Sequence, residues 1–362
     1  MASSSGTFET KQERANGVSE TRAKPSDGKR VTILDIARAT GVSKSSVSRF
    51  LDDRLPTSQS ETARLVRQVA AELGYIRDMS ASNLRRGSTG TIGVIVPRLT
   101  DTVMAMLYEA ISQVASRMGR FTIVATTNDE NGADRRAAEM LLARGVDGLV
   151  LSITKRGDDF PAELTARGVP FVLALRTDGL HPSAVGDDRL GGYLATRHLI
   201  DLGHRRIGVI AGPEIASSAL GRVAGYRDAM NEAGLTIDPE WLVPSTFGID
   251  AGFDAATKLM SLACRPTAIF AVNDNTAIGA VSALSRLGLR VPEDVSLVGY
   301  NDIPIVSHLP KPLTTLRVPF DQIALAALER LVSDDTGSME RIYRAAPTLI
   351  PRASTGRPIH DG

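Results

Sequence analysis

"VTILDIARATGVSKSSVSRFL", Val31 to Leu51, decides the reading of the first part of the chain. Ile33, Ile36 and Ala37 recur at helical spacing behind Thr32, which can cap a helix, and Gly41 supplies a stop. Ser43 can cap a second, shorter helix that runs to Leu51. This second segment combines Ser43, Ser45, Ser46 and Ser48 with Lys44 and Arg49 and carries little apolar mass, so filling a core is not its main task. Val42, Val47 and Leu51 can face a bundle, leaving Lys44, Ser45, Ser48 and Arg49 outward. Short hydroxyls allow a helix backbone close to DNA, and Lys or Arg can reach guanine edges or phosphates. Ser43 can also present the helix N-terminus to a phosphate. The plainer reading of this segment alone is a small surface helix in an ordinary bundle.

"TSQSETARLVRQVAAELG", Thr57 to Gly74, adds a third helix with Ala63, Val66, Val69, Ala70 and Leu73 on one stripe. A capped helix, a tight turn, a short second helix and a third to close the bundle are the proportions of a helix-turn-helix unit. Charge supports a separate module. Residues 28–90 carry 11 Lys/Arg against 6 Asp/Glu, a net of +5, whereas residues 91–362 carry 27 against 31, a net of −4. A basic unit ahead of a mildly acidic body suits a polyanion partner for the first part, with a solvated charged face as the alternative.

The chain of 362 residues is long enough for two or three domains. No apolar run approaches the roughly 18 residues of a membrane span. "MASSSGTFETKQERANGVSE" lacks the apolar centre of a signal peptide, so the cytoplasm is the expected compartment. Residues 1–29 read as a disordered leader. Cys264 is the only cysteine, which excludes an internal disulfide framework and a Cys-based zinc site.

From Thr91 short apolar runs alternate with amphipathic helical patterns. "TIGVIVP", "FTIVATT", "DGLVLS" and "PFVLAL" are strand-like, with "MAMLYEAISQVASRMG" and "RRAAEMLLARG" helical between them. Buried strands that do not alternate polar and apolar argue for a parallel sheet covered by helices. "IGVI" occurs at Ile92–Ile95 and again at Ile207–Ile210, each time opening such a series, so two similar α/β lobes are expected. The polar stretch "RDMSASNLRRGSTGT", Arg77 to Thr91, separates them from the bundle and by itself reads as a linker.

"VTILDIARATGVSKSSVSRFLDD", with "ETARLVRQVAAELGYIRDMSASNLRRGSTGTIGVIVP" behind it, closely resembles the LacI–GalR family of bacterial transcription regulators. "HLIDLGHRRIGVIAGP", "GRVAGYRDAM", "FAVNDNTAIGA", "VSLVGYNDIP" and "PLTTLRVP" extend the likeness over about residues 30–355. The resemblance implies an all-α helix-turn-helix head, a three-helix bundle at 30–76 with a hinge helix at 77–90, followed by a two-lobed α/β effector domain like the periplasmic binding proteins. Lobe 1 would span about 91–186 and 318–347, and lobe 2 about 187–317 and 348–362. Lys44 and Ser45 would read bases, Arg49 would contact a base or phosphate, and Thr32, Ser43 and Ser46 would serve the DNA backbone. In the hinge, Leu84 would enter the minor groove, with Ala81 one turn before it and Arg85 after it. Such an apolar wedge exchanges base stacking for bent DNA with more protein contact.

The same resemblance places an effector between the lobes. Its first-lobe contacts would be Asp101, Val103, Met104 and Asn128. Ser218, Arg222, Phe247, Asn273 and Asn301 would come from the second, with Phe320 beyond the last crossing. Phe247 is either a stacking platform or part of the core. Two departures bear on the ligand: "DTVM" at 101–104 replaces the Asn-Pro and aromatics of many sugar-binding members, and Asn301-Asp302 replaces Asp-Asp. A sugar or sugar derivative is the expected effector, with nucleobase-like or other small polar effectors still open. Near-palindromic operator DNA and a homodimer are the expected partners; "RASTGRPIHDG" offers no leucine-rich tetramer helix.

No catalytic residue, metal or cofactor is expected. There is no G-x-G-x-x-G after a first strand, no G-x-x-x-x-G-K-[ST], no H-E-x-x-H and no G-x-S-x-G. His204 in "LGHRR" orders a turn rather than binding metal. A solute-binding protein or a two-lobed α/β enzyme is the rival reading, and residues 30–90 argue against both.

Overall fold

A computed structural model describes residues 31–52, 56–76, 88–333 and 340–359. The chain divides into two compact units, residues 1–82 and 83–362.

In the head, α1 (Ile33–Thr40) and α2 (Lys44–Phe50) are joined through Gly41, whose φ of 68° lies in the left-handed region that glycine reaches without a Cβ clash. α3 (Glu61–Glu72) begins four residues after Thr57, with the apolar stripe from Ala63 inside it. The Ala63 N–H donates to Ser60 Oγ at 3.2 Å, so Ser60 is the cap, and the Ser58 carbonyl is taken by Arg67 Nη2 at 2.7 Å. Ile36, Val47 and Val66 are fully buried, Val69 and Ala70 nearly so, and Val42, Leu51 and Leu73 pack around them. Each large buried side chain stabilises by about 1.5–3 kcal/mol, and with so few of them the head has a small stability reserve.

The second unit opens on β1 (Thr91–Val96), α4 (Thr102–Arg117), β2 (Phe121–Thr126), α5 (Ala133–Leu142), β3 (Gly148–Leu151), α6 (Phe160–Ala166), β4 (Phe171–Ala174) and β5 (Ser183–Gly186). The chain then crosses to a second lobe built from α7 (Asp188–Asp201), β6 (Ile207–Ala211), α8 (Ser217–Glu232), β7 (Leu242–Pro244), α9 (Ile249–Met260), β8 (Ala268–Ala271), α10 (Asp274–Arg286), β9 (Ser296–Val298) and β10 (Thr315–Arg317). It returns through α11 (Phe320–Val332) and β11 (Ile342–Ala345) and crosses again to β12 (Thr348–Ile350). The first sheet runs β11-β5-β4-β3-β1-β2 and the second β7-β6-β8-β9, with parallel pairing throughout both. β10 and β12 pair antiparallel.

β1 shows why these strands lack polar alternation. Ile92, Val94 and Val96 enter one apolar cluster and Ile95 enters another on the opposite face, so both faces are covered. In the second lobe, α7 and α8 approach to backbone contact. A Cβ on Gly225 would sit 1.9 Å from the Arg189 carbonyl oxygen, and one on Gly192 would sit 2.0 Å from that of Arg222. His204 ties three segments together: Nδ1 meets Thr267 Oγ1 at 2.8 Å, and Nε2 meets the Gly356 carbonyl at 2.9 Å and Ser296 Oγ at 3.0 Å. Burial pushes its pKa down, so it holds this junction as a neutral ring.

Candidate functional site

The head presents one polar helix. Val47 points into the bundle with no exposed surface, and Lys44, Ser45 and Arg49 of α2 are exposed. Ser43 Oγ accepts the Ser46 N–H at 3.2 Å, donates to Ser46 Oγ at 3.0 Å and lies 3.0 Å from Ser45 Oγ. Ser43 and Ser46 therefore hold the start of the helix, and Ser45 stands at the edge of that hydroxyl cluster. Thr32 does the same for α1: its N–H and its Oγ1 both donate to Asp35 Oδ2, at 2.9 and 2.7 Å. The Arg49 guanidinium lies 5.4 Å from the Phe50 ring centroid. Ala81, Leu84 and Arg85 lie outside the described residues.

Immediately after that segment, Asp147 fastens the incoming chain to the first lobe. Its carboxylate accepts from Ser88 Oγ at 2.7 Å, the Thr89 N–H at 2.6 Å, the Gly90 N–H at 2.8 Å and Arg120 Nη1 at 2.9 Å. Against the burial that would raise it, these bonds hold its pKa below the usual carboxylate range.

Between the lobes lies a cavity of about 50 Å³. Asp101, Val103 and Met104 reach it from the start of α4. Ser218, Arg222, Phe247, Asn273 and Asn301 reach it from the second lobe. The structure thus brings eight of the ten expected positions to one place.

The two others lie elsewhere. Asn128 is exposed in the turn after β2, at φ 51°, with its N–H on the Pro97 carbonyl at 2.8 Å. That left-handed turn carries it out of the lining. Phe320 opens α11 at 7% exposure, packs in the same apolar core as Val103 and Met104, and is not among the residues lining the cavity.

Arg222 is the most constrained group. Nε donates to Asp188 Oδ1 at 2.8 Å, Nη1 donates to the Val272 carbonyl at 2.6 Å, and the guanidinium carbon lies 3.8 Å from the Tyr300 ring centroid. Burial pulls the Asp188 carboxyl up, and the Arg222 charge opposes that pull. The close approach of α7 and α8 makes this pair: a Cβ on Gly221 would lie 2.9 Å from Asp188 Cβ.

Asn273 is less available than its position suggests. Oδ1 accepts the Thr276 N–H at 2.9 Å and its Oγ1 at 2.8 Å, and Nδ2 donates to the Phe247 carbonyl at 3.0 Å. Asn301 differs. It is 3% exposed, its backbone stands at φ 108°, and its Oδ1 has no hydrogen-bond partner. A strained, non-glycine residue holding an unused buried acceptor marks a functional position. Its neighbour Asp302 is gripped by Arg317 at 2.7 Å and Arg352 at 2.6 Å.

Asp101 spans the cleft. Oδ1 accepts the Val103 N–H at 3.1 Å and Asn275 Nδ2 of the second lobe at 3.3 Å. Burial raises its pKa, opposed by those bonds and by Arg176 and Arg98. Two backbone donors also cross between the lobes, from Thr177 to Ser217 Oγ and from Arg156 to the Ile215 carbonyl, both at 2.9 Å.

Asp147, Asp188 and Asn275 were not singled out by the sequence reading. Neither were Leu175 and Arg176, which line the cavity at the end of β4, with Leu175 at φ 63°. A usable signal existed: "PFVLAL" is a parallel strand, and the first polar residue past the carboxyl end of such a strand faces the crevice where α/β sheets bind ligands. Among the described residues no cluster of three or more His, Cys, Asp or Glu is arranged to hold a metal. No helix among them is long and apolar enough to cross a membrane.

Comparison with known proteins agrees with this layout. The family profile "Bacterial regulatory proteins, lacI family" matches residues 32–78, and "Periplasmic binding proteins and sugar binding domain of LacI family" matches residues 89–343. The chain belongs to the LacI family. Like its relatives, this LacI-family protein is a DNA-binding transcription regulator. It is 34% identical over 334 residues to the ribose operon repressor of Haemophilus influenzae, covering 89% of this chain and 98% of the other. It is 32% identical over 329 residues to the HTH-type transcriptional repressor PurR of Pasteurella multocida, again 89% and 98%. Among solved structures it resembles the lac repressor dimer bound to operator and the anti-inducer ONPF, with a TM-score of 0.80, 28% identity and coverage of 91% of this chain and 100% of that one. These relatives are repressors, not enzymes.

Proposed function

We propose that this LacI-family protein is a cytoplasmic homodimeric repressor that reads a near-palindromic operator and is controlled by a small polyhydroxy effector held between its lobes. The observation that carries the effector reading is the buried, unpartnered Asn301 Oδ1 in the cavity that Arg222 also lines. A ligand hydroxyl donating to that oxygen removes the penalty of an unsatisfied buried acceptor. The cellobiose complex of one similar solved regulator, and the ribose bound in another, lie in the same chemical direction.

Lys44, Ser45 and Arg49 read the major groove, and Thr32, Ser43 and Ser46 position the head on the backbone. Leu84 is the minor-groove wedge, flanked by Ala81 and Arg85. The lobes divide at about 91–186 with 318–347 and 187–317 with 348–362. A ligand that alters the angle between them acts on the segment Asp147 anchors, coupling effector and operator affinity by about 1–3 kcal/mol.

The test is selection of binding sites from random duplex DNA by the full-length protein, with Leu84→Ala in parallel. Enrichment of a near-palindrome, with weaker affinity and less bending in the variant, is the expected result. No enriched sequence at moderate salt overturns the operator reading.

A further inference from the structure

We infer that the effector is acidic, a polyhydroxy compound whose carboxylate or phosphate group meets Arg176. This rests on the reading of the cleft as the effector site and adds the ligand's charge to it.

Arg176 is the cavity cation whose charge the protein leaves unanswered. Arg222 is answered by Asp188 at 2.8 Å, and outside the lining Arg98 is answered by Asp129 at 2.5 Å. Arg176 forms no ion pair and no hydrogen bond among the described residues; its contact is the Phe247 ring, 5.6 Å from the guanidinium carbon to the centroid. Its nearest acids are compromised. Asp129 is committed to Arg98, and Asp101 is tied to Val103 and Asn275 with its pKa already raised by burial. Burial likewise lowers the pKa of Arg176, with Asp129 and Asp101 opposing. A guanidinium does not neutralise itself by losing its proton, so Arg176, partly buried in the cavity wall and without an ion pair among the described residues, favours an anionic ligand.

Phe247 resolves the same way. A Cβ on Gly212 would lie 2.8 Å from Phe247 Cε1, so the ring is packed closely against that backbone, and Arg176 sits over it. A ring engaged in this manner is a seat for the guanidinium rather than an open platform for a neutral sugar. Asn301, where a carboxylate would have supplied an internal counter-charge, brings a neutral acceptor instead. The cavity therefore lacks two things, a hydroxyl donor for Asn301 and an anion for Arg176, and a sugar acid or sugar phosphate supplies both.

The experiment titrates full-length wild type, Arg176→Gln and Arg222→Gln calorimetrically with D-glucose, D-gluconate, D-glucuronate, D-ribose and D-ribose 5-phosphate. At least one acid should bind about tenfold or more tighter than its neutral parent, less so at high salt, and Arg176→Gln should erase that preference. The carboxylate and phosphate arms show which anion is meant. The unliganded Arg176→Gln protein should melt no lower than wild type, which separates loss of the contact from loss of the fold. A neutral parent that binds as well as its acid, with Arg222→Gln abolishing both while its own melting transition stays above the titration temperature, overturns the acidic ligand and leaves the cleft reading standing. Acid binding insensitive to both substitutions overturns the two together. An absence of binding by every acid also overturns the inference.

Discussion

Arg49 in the head and Arg222 in the cleft carry the same guanidinium in opposite circumstances. Arg49 is exposed on a seven-residue helix, and its described contact is the neighbouring Phe50 ring. Arg222 has a side chain 9% exposed, bonded to Asp188 and Val272 and stacked on Tyr300. The first is a free charge whose value depends on the partner and the salt. The second is a fixed part of the lobe, whose removal is felt before any ligand arrives. The head keeps its chemistry on its surface over a minimal core; the body keeps its chemistry inside a large one.

The largest test of that contrast is Ile36→Ala. Ile36 is fully buried among a handful of large residues, and truncation costs about 2–5 kcal/mol, a major share of a small module's stability. Operator binding in a gel-shift assay should be lost, with the main thermal transition of the body kept in place. A comparable drop in the body's melting temperature would break the contrast.

Arg222→Ala comes next. It strands the Asp188 carboxylate, at 12% side-chain exposure, without its partner and should cost the body about 3–5 kcal/mol in chemical denaturation. Adding Asp188→Asn to that background should recover part of the loss. No recovery would mean that packing on Tyr300, rather than charge, holds the site.

Arg49→Ala should leave both transitions unmoved and cost about 1–3 kcal/mol of operator affinity. Titration against single-base variants of the selected site sharpens the result. A loss confined to one base pair assigns base reading, and a uniform loss with a shallower salt slope assigns a phosphate.

The smallest effect concerns Asp274 at the start of α10. Burial pushes its carboxyl up to about 7, although Thr315 Oγ1 donates to it at 2.6 Å and the Ile303 N–H at 2.8 Å. The folded protein keeps this proton between roughly pH 4 and 7 while the unfolded chain has lost it, so its contribution is fully present below about pH 4 and fades as pH rises to 7. Melting curves across that window should fall less steeply with pH for Asp274→Asn than for wild type. Identical slopes would show that the carboxyl titrates normally.

The readable parts of this protein share a physical origin. Ile36, Val47, Val66 and Ala70 announce the bundle because a helix repeats locally, and "IGVI" announces each lobe because a doubly covered strand is apolar on both faces. α3 starts at Glu61 rather than Thr57 because Ser60, not an earlier hydroxyl, caps it. Asn128 and Phe320 are not among the residues lining the cavity, because position along the chain says nothing about which way a turn aims a side chain or how a helix end is buried.

By itself the sequence determined the order of the elements, the polar character of α2, and most of the positions that meet in the cleft, since local period and composition act over a few residues. Only the tertiary structure decided which charges are already neutralised. Asp188 answers Arg222 across 34 positions, Thr89 reaches Asp147 across 58, and Arg176 is left with an aromatic ring in place of a carboxylate. Desolvation and pairing depend on distance in space, and at these separations along the chain that distance exists only once the glycine-lined helices and parallel sheets have closed on one another.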